Sequence, residues 1–145
     1  MKKESIPVSG PVKISMADAP VSTRLGGAIR PLLTPKSVGA SSGFLGTMTL
    51  QPGEFIAEHY HPYSEEFMFV ARGEIVVRID GEEIVARANE AVLVPKFGSH
   101  RYENRGTDLA LIVFQMSPLA PSPEEGHVEV EKPPFPTATP PVVGQ

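Results

Sequence analysis

The sequence predicts an all-β protein, an antiparallel sandwich or barrel, and three observations support this fold class. Short apolar or alternating runs recur from about residue 25 to residue 116. Turn signals such as Pro52-Gly53 and Asp80-Gly81 separate these runs. No window of about eleven residues sustains the 3.6-residue apolar period of a helix. Closure of such sheets leaves an interior pocket at one mouth, so a binding site is expected there.

Seven strands are predicted within this region. The alternation of Ile75, Val77 and Ile79 indicates that the third strand has one buried face. Asp80-Gly81 follows at once and is typical of a two-residue hairpin turn. The predicted strands cover residues 44–50, 67–70, 74–80, 83–86, 91–94, 99–103 and 109–116.

The chain of 145 residues suits a single domain with one core. The barrel is expected over about 25–116, with an arm at 1–24 before it and a tail at 117–145 after it. Eight prolines fall in residues 118–145. Because proline lacks a backbone donor and fixes φ, neither a helix nor a central strand is expected in the tail. The end of the chain after about Pro133 is predicted to be loose.

Charge and hydropathy argue against two classes of partner. The chain carries 13 basic and 17 acidic residues, and no basic run is longer than Lys2-Lys3. Neither nucleic acid nor an anionic membrane surface is therefore an expected partner. No stretch approaches the about 20 apolar residues of a membrane span, and no apolar run follows the first lysines as in a signal peptide. A cytoplasmic location is expected.

The candidate metal ligands are histidines, because the absence of cysteine excludes thiolate sites and disulfides. Any metal must then be held by nitrogen and oxygen. His59 and His61 are expected to point the same way, since alternate residues of a strand share a face. The same alternation turns Glu66 inward with Met68 and turns Glu65 outward. A buried carboxylate is costly unless it is paired or bound to metal.

His100 lies about forty residues further on, after a Pro/Gly turn at 95–98 and at the start of another predicted strand. Each of these histidines also has an ordinary explanation, as a hydrogen-bonded side chain at a strand end. Two such segments, separated by hairpins, fit facing strands of a small barrel. The combination therefore indicates a metal site with His59, His61 and His100 as ligands.

At these residues the sequence resembles the cupin family. The matching motifs are Gly53-x5-His59-x-His61-x4-Glu66-x6-Gly73 and Pro95-x4-His100-x3-Asn104. The second motif departs from the family in two places, with Asn89 where glycine is usual and with Gly98 displaced by one position. Both are turn positions that accept Asn or a shifted glycine. The resemblance implies a double-stranded β-helix, or jelly roll.

A narrower resemblance extends from about Arg24 into the tail near Lys132. The segments TPKSVGASSGFLGTMTLQPGE, EHYHPYSEEF and SPLAPSPEEGHVEVEK are similar to small single-domain cupins of bacterial aromatic polyketide pathways, such as the tetracenomycin and resistomycin pathways. Those cupins are regarded as cyclases or cyclisation-assisting proteins. The resemblance implies a metal-dependent cyclase of antibiotic biosynthesis that folds and aromatises a poly-β-ketone. The implied partners are that substrate, free or bound to an acyl carrier protein, and polyketide synthase components.

Two residues compete for the position of fourth metal ligand. Cupins usually add Glu66 to the three histidines. His127 is the alternative, because three prolines in 117–127 reduce the cost of ordering that segment. The chain from the last predicted strand to His127 spans at most ~36 Å, which is enough to return to the barrel mouth. Val128 and Val130 would then form a short added strand.

Zn²⁺ is the expected metal, with Ni²⁺, Fe²⁺ or Mn²⁺ as alternatives, because aldol cyclisation transfers no electrons and needs only a Lewis acid. A metal-bound water, whose pKa zinc lowers toward ~7, is the expected base. Glu66, if it is not a ligand, is the next candidate base, with burial expected to raise its pKa. The residues expected to line the substrate pocket are Met48, Leu50, Met68, Tyr102, Phe114 and Met116.

Two other functions fit the same residues. A metal-dependent dioxygenase acting on an aromatic or diketone substrate would use the same ligands and would consume oxygen. A non-catalytic cupin that binds a small molecule or supports a synthase complex would not need His59 or His61. The protein is expected to be a monomer or a homodimer, paired through an outer sheet face or through residues 1–22.

Overall fold

The computed structural model describes residues 10–144, and ten β-strands carry most of the regular structure in this part of the chain. A 3-10 turn at Met16–Asp18 and a four-residue helix, α1, at Pro35–Val38 are the helical elements. None of the helices described is long and apolar enough to cross a membrane. The strands are β1 (Ala28–Leu33), β2 (Phe44–Leu50), β3 (Phe55–Tyr60), β4 (Glu65–Arg72), β5 (Glu74–Ile79), β6 (Glu82–Arg87), β7 (Ala91–Val94), β8 (His100–Glu103), β9 (Ala110–Ser117) and β10 (Val128–Glu129).

The strands form two five-stranded antiparallel sheets. One sheet has the order β1-β2-β9-β4-β7, and the other has the order β10-β3-β8-β5-β6. Because most neighbours in a sheet are distant in sequence, the chain passes repeatedly from one sheet to the other. This arrangement is the double-stranded β-helix, and it confirms the predicted fold class.

The core lies between the sheets and follows the predicted alternation. In β4, Glu66, Met68 and Val70 are buried, whereas Phe67 and Phe69 on the opposite face are exposed. In β9 every second residue is buried in the same way. Glu66 is the first of the β4 residues that point into the core, so its carboxylate lies at one end of a row of apolar side chains.

Turn geometry accounts for the hairpin and for one departure from the cupin motif. Asp80 and Gly81 have φ of 49° and 85°, as a two-residue hairpin turn between β5 and β6 requires. Asn89 has φ of 72°, a left-handed conformation that Asn tolerates. At the second departure Phe97 rather than Gly98 takes the left-handed conformation, with φ of 68°.

The strand β1, which contains Pro31, is absent from the predicted strands. In the structure β1 pairs with β2 and occupies the edge of its sheet. The pairing shifts register between Pro31 and Leu33. A proline fits such an edge position because its missing N–H need not serve a second neighbour.

The carboxy-terminal tail, predicted to be loose after about Pro133, has described residues up to Gly144, and Lys36 N donates a hydrogen bond to the carbonyl of Val143. Five prolines between 132 and 144 restrict the unfolded chain, so a few contacts suffice to order it. The predicted pairing through residues 1–22 falls partly on residues 1–9, which together with Gln145 lie outside the described residues.

Candidate metal centre

Three buried histidines meet where two neighbouring strands end. His59, in β3, pairs in register with His100, the first residue of β8, and His61 directly follows β3. A ring nitrogen of each histidine lies within 4.8 Å of those of the other two. The three residues are 5%, 7% and 0% exposed for His59, His61 and His100. The two distant segments thus meet as the sequence predicts, and the role of the imidazoles as metal ligands stays a prediction.

Backbone carbonyls orient all three rings. The Nδ1–H donors and their acceptors are His59 to Ala57 (2.7 Å), His61 to Gly126 (2.9 Å) and His100 to Gly98 (2.8 Å). Because Nδ1 carries the proton in the neutral ring, Nε2 carries the lone pair. Nε2 of His61 and Nε2 of His100 are buried without a hydrogen-bond partner among residues 10–144. Buried, unpartnered imidazole nitrogens fit a divalent metal ion.

Glu66 is the buried carboxylate beside these nitrogens. Its Oε1 lies 3.4 Å from Nε2 of His61 and 3.8 Å from Nε2 of His100. Its Oε2 accepts a hydrogen bond from the hydroxyl of Tyr102. Burial raises the pKa of Glu66, but the neighbouring His61, His100 and Tyr102 outweigh burial and lower that pKa to about 2. The expectation of a raised pKa is therefore wrong, and Glu66 is a weak proton acceptor at neutral pH.

The environment keeps His59, His100 and His127 neutral at neutral pH. Burial, and then the charges of the neighbouring imidazoles, lowers the pKa of His59 well below its usual 6.5. Burial also lowers the pKa of His100. For His127, burial and the charge of His61 lower the pKa to about 4. A neutral imidazole keeps the lone pair that a metal ion requires.

The ring of His127 lies beside the cluster. It stacks on His59 with the centroids 4.5 Å apart, and its centroid is 5.8 Å from that of His61. His127 precedes β10, which pairs with β3 as predicted, although Val130 lies beyond the strand and is 56% exposed. Glu66 and His127 both adjoin the three histidines, so both remain candidates for the fourth ligand.

A cavity of about 880 Å³ opens beside the imidazoles, which is a size typical of sites for small molecules. His59, His61, Glu66 and His127 line it, and residues 139–144 of the tail supply part of its wall. The predicted pocket residues that line it are Met48, Tyr102, Phe114 and Met116. Most of the remaining wall is apolar. The site therefore combines the histidine cluster and Glu66 with a mainly apolar cavity.

Two of the predicted pocket residues do not line the cavity. Leu50 and Met68 are 0% and 2% exposed and belong to the closed core between the sheets. Alternation correctly turns both side chains inward. It cannot distinguish an inward position at the mouth from one in the middle of the sandwich, because that depends on where each strand starts relative to its neighbours.

Sequence reasoning missed three parts of the site. The carbonyl of Gly126 orients His61, the hydroxyl of Tyr102 orients Glu66, and the end of the tail forms cavity wall. Only the role of Gly126 has a signal in the sequence, which is the position of this glycine directly before His127. A Cβ on Gly126 would lie 2.7 Å from that of Ala120, so a glycine fits this close approach.

Comparisons with known proteins agree with this fold. The model of the cupin domain family matches residues 46–116. The tetracenomycin polyketide synthase protein TcmJ of Streptomyces glaucescens is 51% identical over 137 residues, covering 94% of this chain and 92% of that protein. Polyketide synthase CurC of Streptomyces cyaneus is 46% identical over 123 residues, covering 85% and 80%. The structure of the polyketide cyclase RemF from Streptomyces resistomycificus has a TM-score of 0.68 at 15% identity, covering 88% and 90% of the chains, and shows the shared fold.

A double-stranded β-helix with histidines from both motifs at one mouth defines the class of protein as a cupin. The chain belongs to the cupin family, and two of its relatives are named as polyketide synthase proteins. The resemblance that the sequence carries is thereby confirmed.

Proposed function

We propose that this protein is a metal-dependent cyclase that folds a poly-β-ketone and closes its ring by aldol condensation and loss of water. The observation that carries the proposal is the pair of buried, unpartnered Nε2 atoms of His61 and His100 beside a large apolar cavity. The names of the relatives supply the substrate class, because two of them are called polyketide synthase proteins.

His59, His61 and His100 would hold the metal, with Glu66 or His127 as the fourth ligand. A bound divalent ion supplies Lewis-acid stabilisation of the negative charge that develops on a ketone oxygen. If Glu66 completes the set, His127 is left as a neutral imidazole at the cavity wall. Its pKa of about 4 lies above that of Glu66, so it is the better of these two acceptors for the proton of the activated methylene. Zn²⁺ stays the first choice of metal, because the reaction transfers no electrons.

The cavity wall performs the geometric part of the reaction. Met48, Phe114 and Met116 offer apolar surface against which a flexible ketone chain can fold back on itself. Holding two distant carbons of one chain in contact removes several kcal/mol from the barrier, on the order of 7–11 at the upper limit. The same wall keeps bulk water from the reactive ketones.

The test combines metal analysis with turnover. Purified protein is analysed for its metal, stripped with a chelator, reloaded with Zn²⁺ and given a linear poly-β-ketone, free or attached to an acyl carrier protein. We expect about one metal per chain, loss of cyclised product on stripping and recovery on reloading. Equal activity of the stripped and reloaded forms, or of a His59→Ala, His61→Ala variant, would exclude this mechanism in favour of a scaffold role.

A dioxygenase is the second candidate function, because three histidines and one carboxylate also suit a redox-active metal. Oxygen consumption separates the two functions. A cyclase consumes none during turnover, whereas a dioxygenase consumes one molecule for each substrate.

A further inference from the structure

We propose that residues 132–144, here called the strap, form a movable wall of the cavity that admits the substrate and sets the longest chain that fits. The strap is the end of the tail, and its residues 139–144 line the cavity that also contains His59 and His61. The inference takes its substrate class, a long poly-β-ketone chain, from the proposed function, and it does not depend on the proposed reaction.

The tail before the strap is fixed firmly to the sheet. The backbone N–H groups of Val130 and Glu131 both donate to the carbonyl of Glu58. The carboxylate of Glu131 in turn accepts hydrogen bonds from Glu58 N and from Arg101 Nε, at 2.8 and 3.0 Å. These contacts and the pairing of β10 with β3 anchor the tail up to Glu131.

Isolated hydrogen bonds, rather than strand pairing, attach the strap to the rest of the protein. Within the described residues, the hydrogen bonds from the strap to the rest of the chain are Phe135 N to Arg24 O (3.2 Å), Arg24 Nη1 to Pro136 O, Ser22 Oγ to Thr139 O (2.6 Å) and Lys36 N to Val143 O (3.3 Å). None of them is a rung of either sheet. The strap can therefore leave the barrel without breaking the ladders that define the fold.

Composition suits the strap to move as a stiff unit. Five of its residues are prolines, which cannot donate backbone hydrogen bonds and favour extended conformations. Residues 134–137 are exposed, and Phe135 is 55% exposed. Pro133 is buried, but most of the strap outside the cavity wall is exposed, so little buried surface opposes displacement of the strap by a ligand that fills the cavity.

The wall position explains how the strap would select substrates. The barrel side of the cavity is built from strand residues such as Met48 and Phe114, which hydrogen-bonded ladders hold in place. Residues 139–144 are one part of the wall that those ladders do not hold, and residues between 120 and 127 are another. The second part is tied to the histidine cluster through the carbonyl of Gly126, so the strap is the part expected to give way to a longer chain.

A reversible lock tests the movement. The chain contains no cysteine, so a Ser22→Cys, Thr139→Cys variant would carry the single disulfide of the protein across the contact between these residues. Binding of a homologous series of linear 1,3-diketones is followed in the metal-free protein, oxidised and then reduced. We expect oxidation to slow the association of the long members by about tenfold or more and reduction to restore it. Equal rates in the two states would overturn the proposal.

The opposite variant loosens the strap and serves if the disulfide does not form. Ser22→Ala removes the 2.6 Å hydrogen bond to Thr139, and Ser42→Ala, at an exposed position, is the matched control. In Ser22→Ala we expect amide exchange in the strap to rise by about tenfold and the preference among diketones to shift toward longer chains. A strap that exchanges faster while the preference stays unchanged would refute a role in selection. Because no turnover is measured, this result is independent of the proposed reaction.

Discussion

The Nδ1–H of His61 donates a 2.9 Å hydrogen bond to the carbonyl of Gly126, 65 residues further along the chain. Both groups are buried. The bond fixes which nitrogen of His61 carries the proton, and it makes the carboxy-terminal tail part of the histidine cluster. The barrel alone therefore does not complete the site.

Substituting Gly126 tests this dependence. In Gly126→Ala the new Cβ would lie 2.7 Å from the Cβ of Ala120, so the tail must shift and carry its carbonyl away from His61. We expect the affinity for Zn²⁺ to fall by about tenfold or more, measured by competition with a coloured chelator. Gly106→Ala is the control, because its Cβ has no neighbour closer than 3.4 Å. Unchanged affinity in Gly126→Ala would show that the carbonyl is dispensable.

Tyr102 is predicted to act on the metal centre through Glu66. Its pKa is raised well above 10 by burial and by the neighbouring carboxylate, so the hydroxyl stays a neutral donor. Tyr102→Phe removes the hydrogen bond that aims Glu66 at the imidazoles, and we expect roughly tenfold weaker Zn²⁺ binding with the fold intact. Tyr60→Phe provides the comparison. Affinity equal to that of the unaltered protein would mean that Glu66 needs no such support.

Metal binding is expected to stabilise the fold. At about 1,000 times the Kd, Zn²⁺ should raise the Tm by roughly 10 °C, because ligand binding to the folded state adds about 4 kcal/mol. His100→Ala should abolish the shift, since His100 is fully buried among the candidate ligands. Mg²⁺ prefers oxygen ligands and serves as the negative control. A similar shift with both ions, seen by differential scanning calorimetry, would speak against an imidazole site.

Alanine substitutions of Leu50 and Met48 are expected to affect different properties, the free energy of unfolding for Leu50 and ligand affinity for Met48. Leu50→Ala opens a void in the closed core and should cost about 2–5 kcal/mol in urea unfolding, with little effect on ligand affinity. Met48→Ala alters the cavity wall and should change the affinity for linear diketones more than Leu50→Ala does. Equal effects of the two variants on binding would contradict the division between core and cavity.

The metal-free protein should lose stability as the pH falls below about 6.5. His59, His100 and His127 have lowered pKa values in the folded state, that of His127 being about 4, so the unfolded state takes up protons first. Each such proton contributes a slope of about 1.4 kcal/mol per pH unit until the pH reaches the pKa of the folded state. His127→Asn should therefore reduce the slope between pH 6.5 and 4 by about one proton, measured by urea unfolding at each pH. An unchanged slope would mean that His127 is solvated rather than buried.

Sequence patterns with short-range causes were sufficient for most of the strands and for the clustering of three histidines. Asp80-Gly81 predicts the β5–β6 hairpin because the left-handed φ angles it requires are a local property of those two residues. The inward row of β4 follows from the two-residue period of a strand, and it correctly turns Glu66 toward the core. The spacing of the two histidine motifs predicts that His59, His61 and His100 converge.

Tertiary structure alone decided the features that depend on distant parts of the chain. The low pKa of Glu66 arises because Tyr102 and the imidazoles, from other strands, act on it more strongly in sum than burial does. Leu50 lies outside the cavity because of how the strands are staggered. The position of the tail depends on hydrogen bonds that Ser22 and Arg24 donate to the carbonyls of Thr139 and Pro136. Local sequence sets the conformation and face of a residue, whereas the sum of several weak long-range contacts sets its charge and its partners.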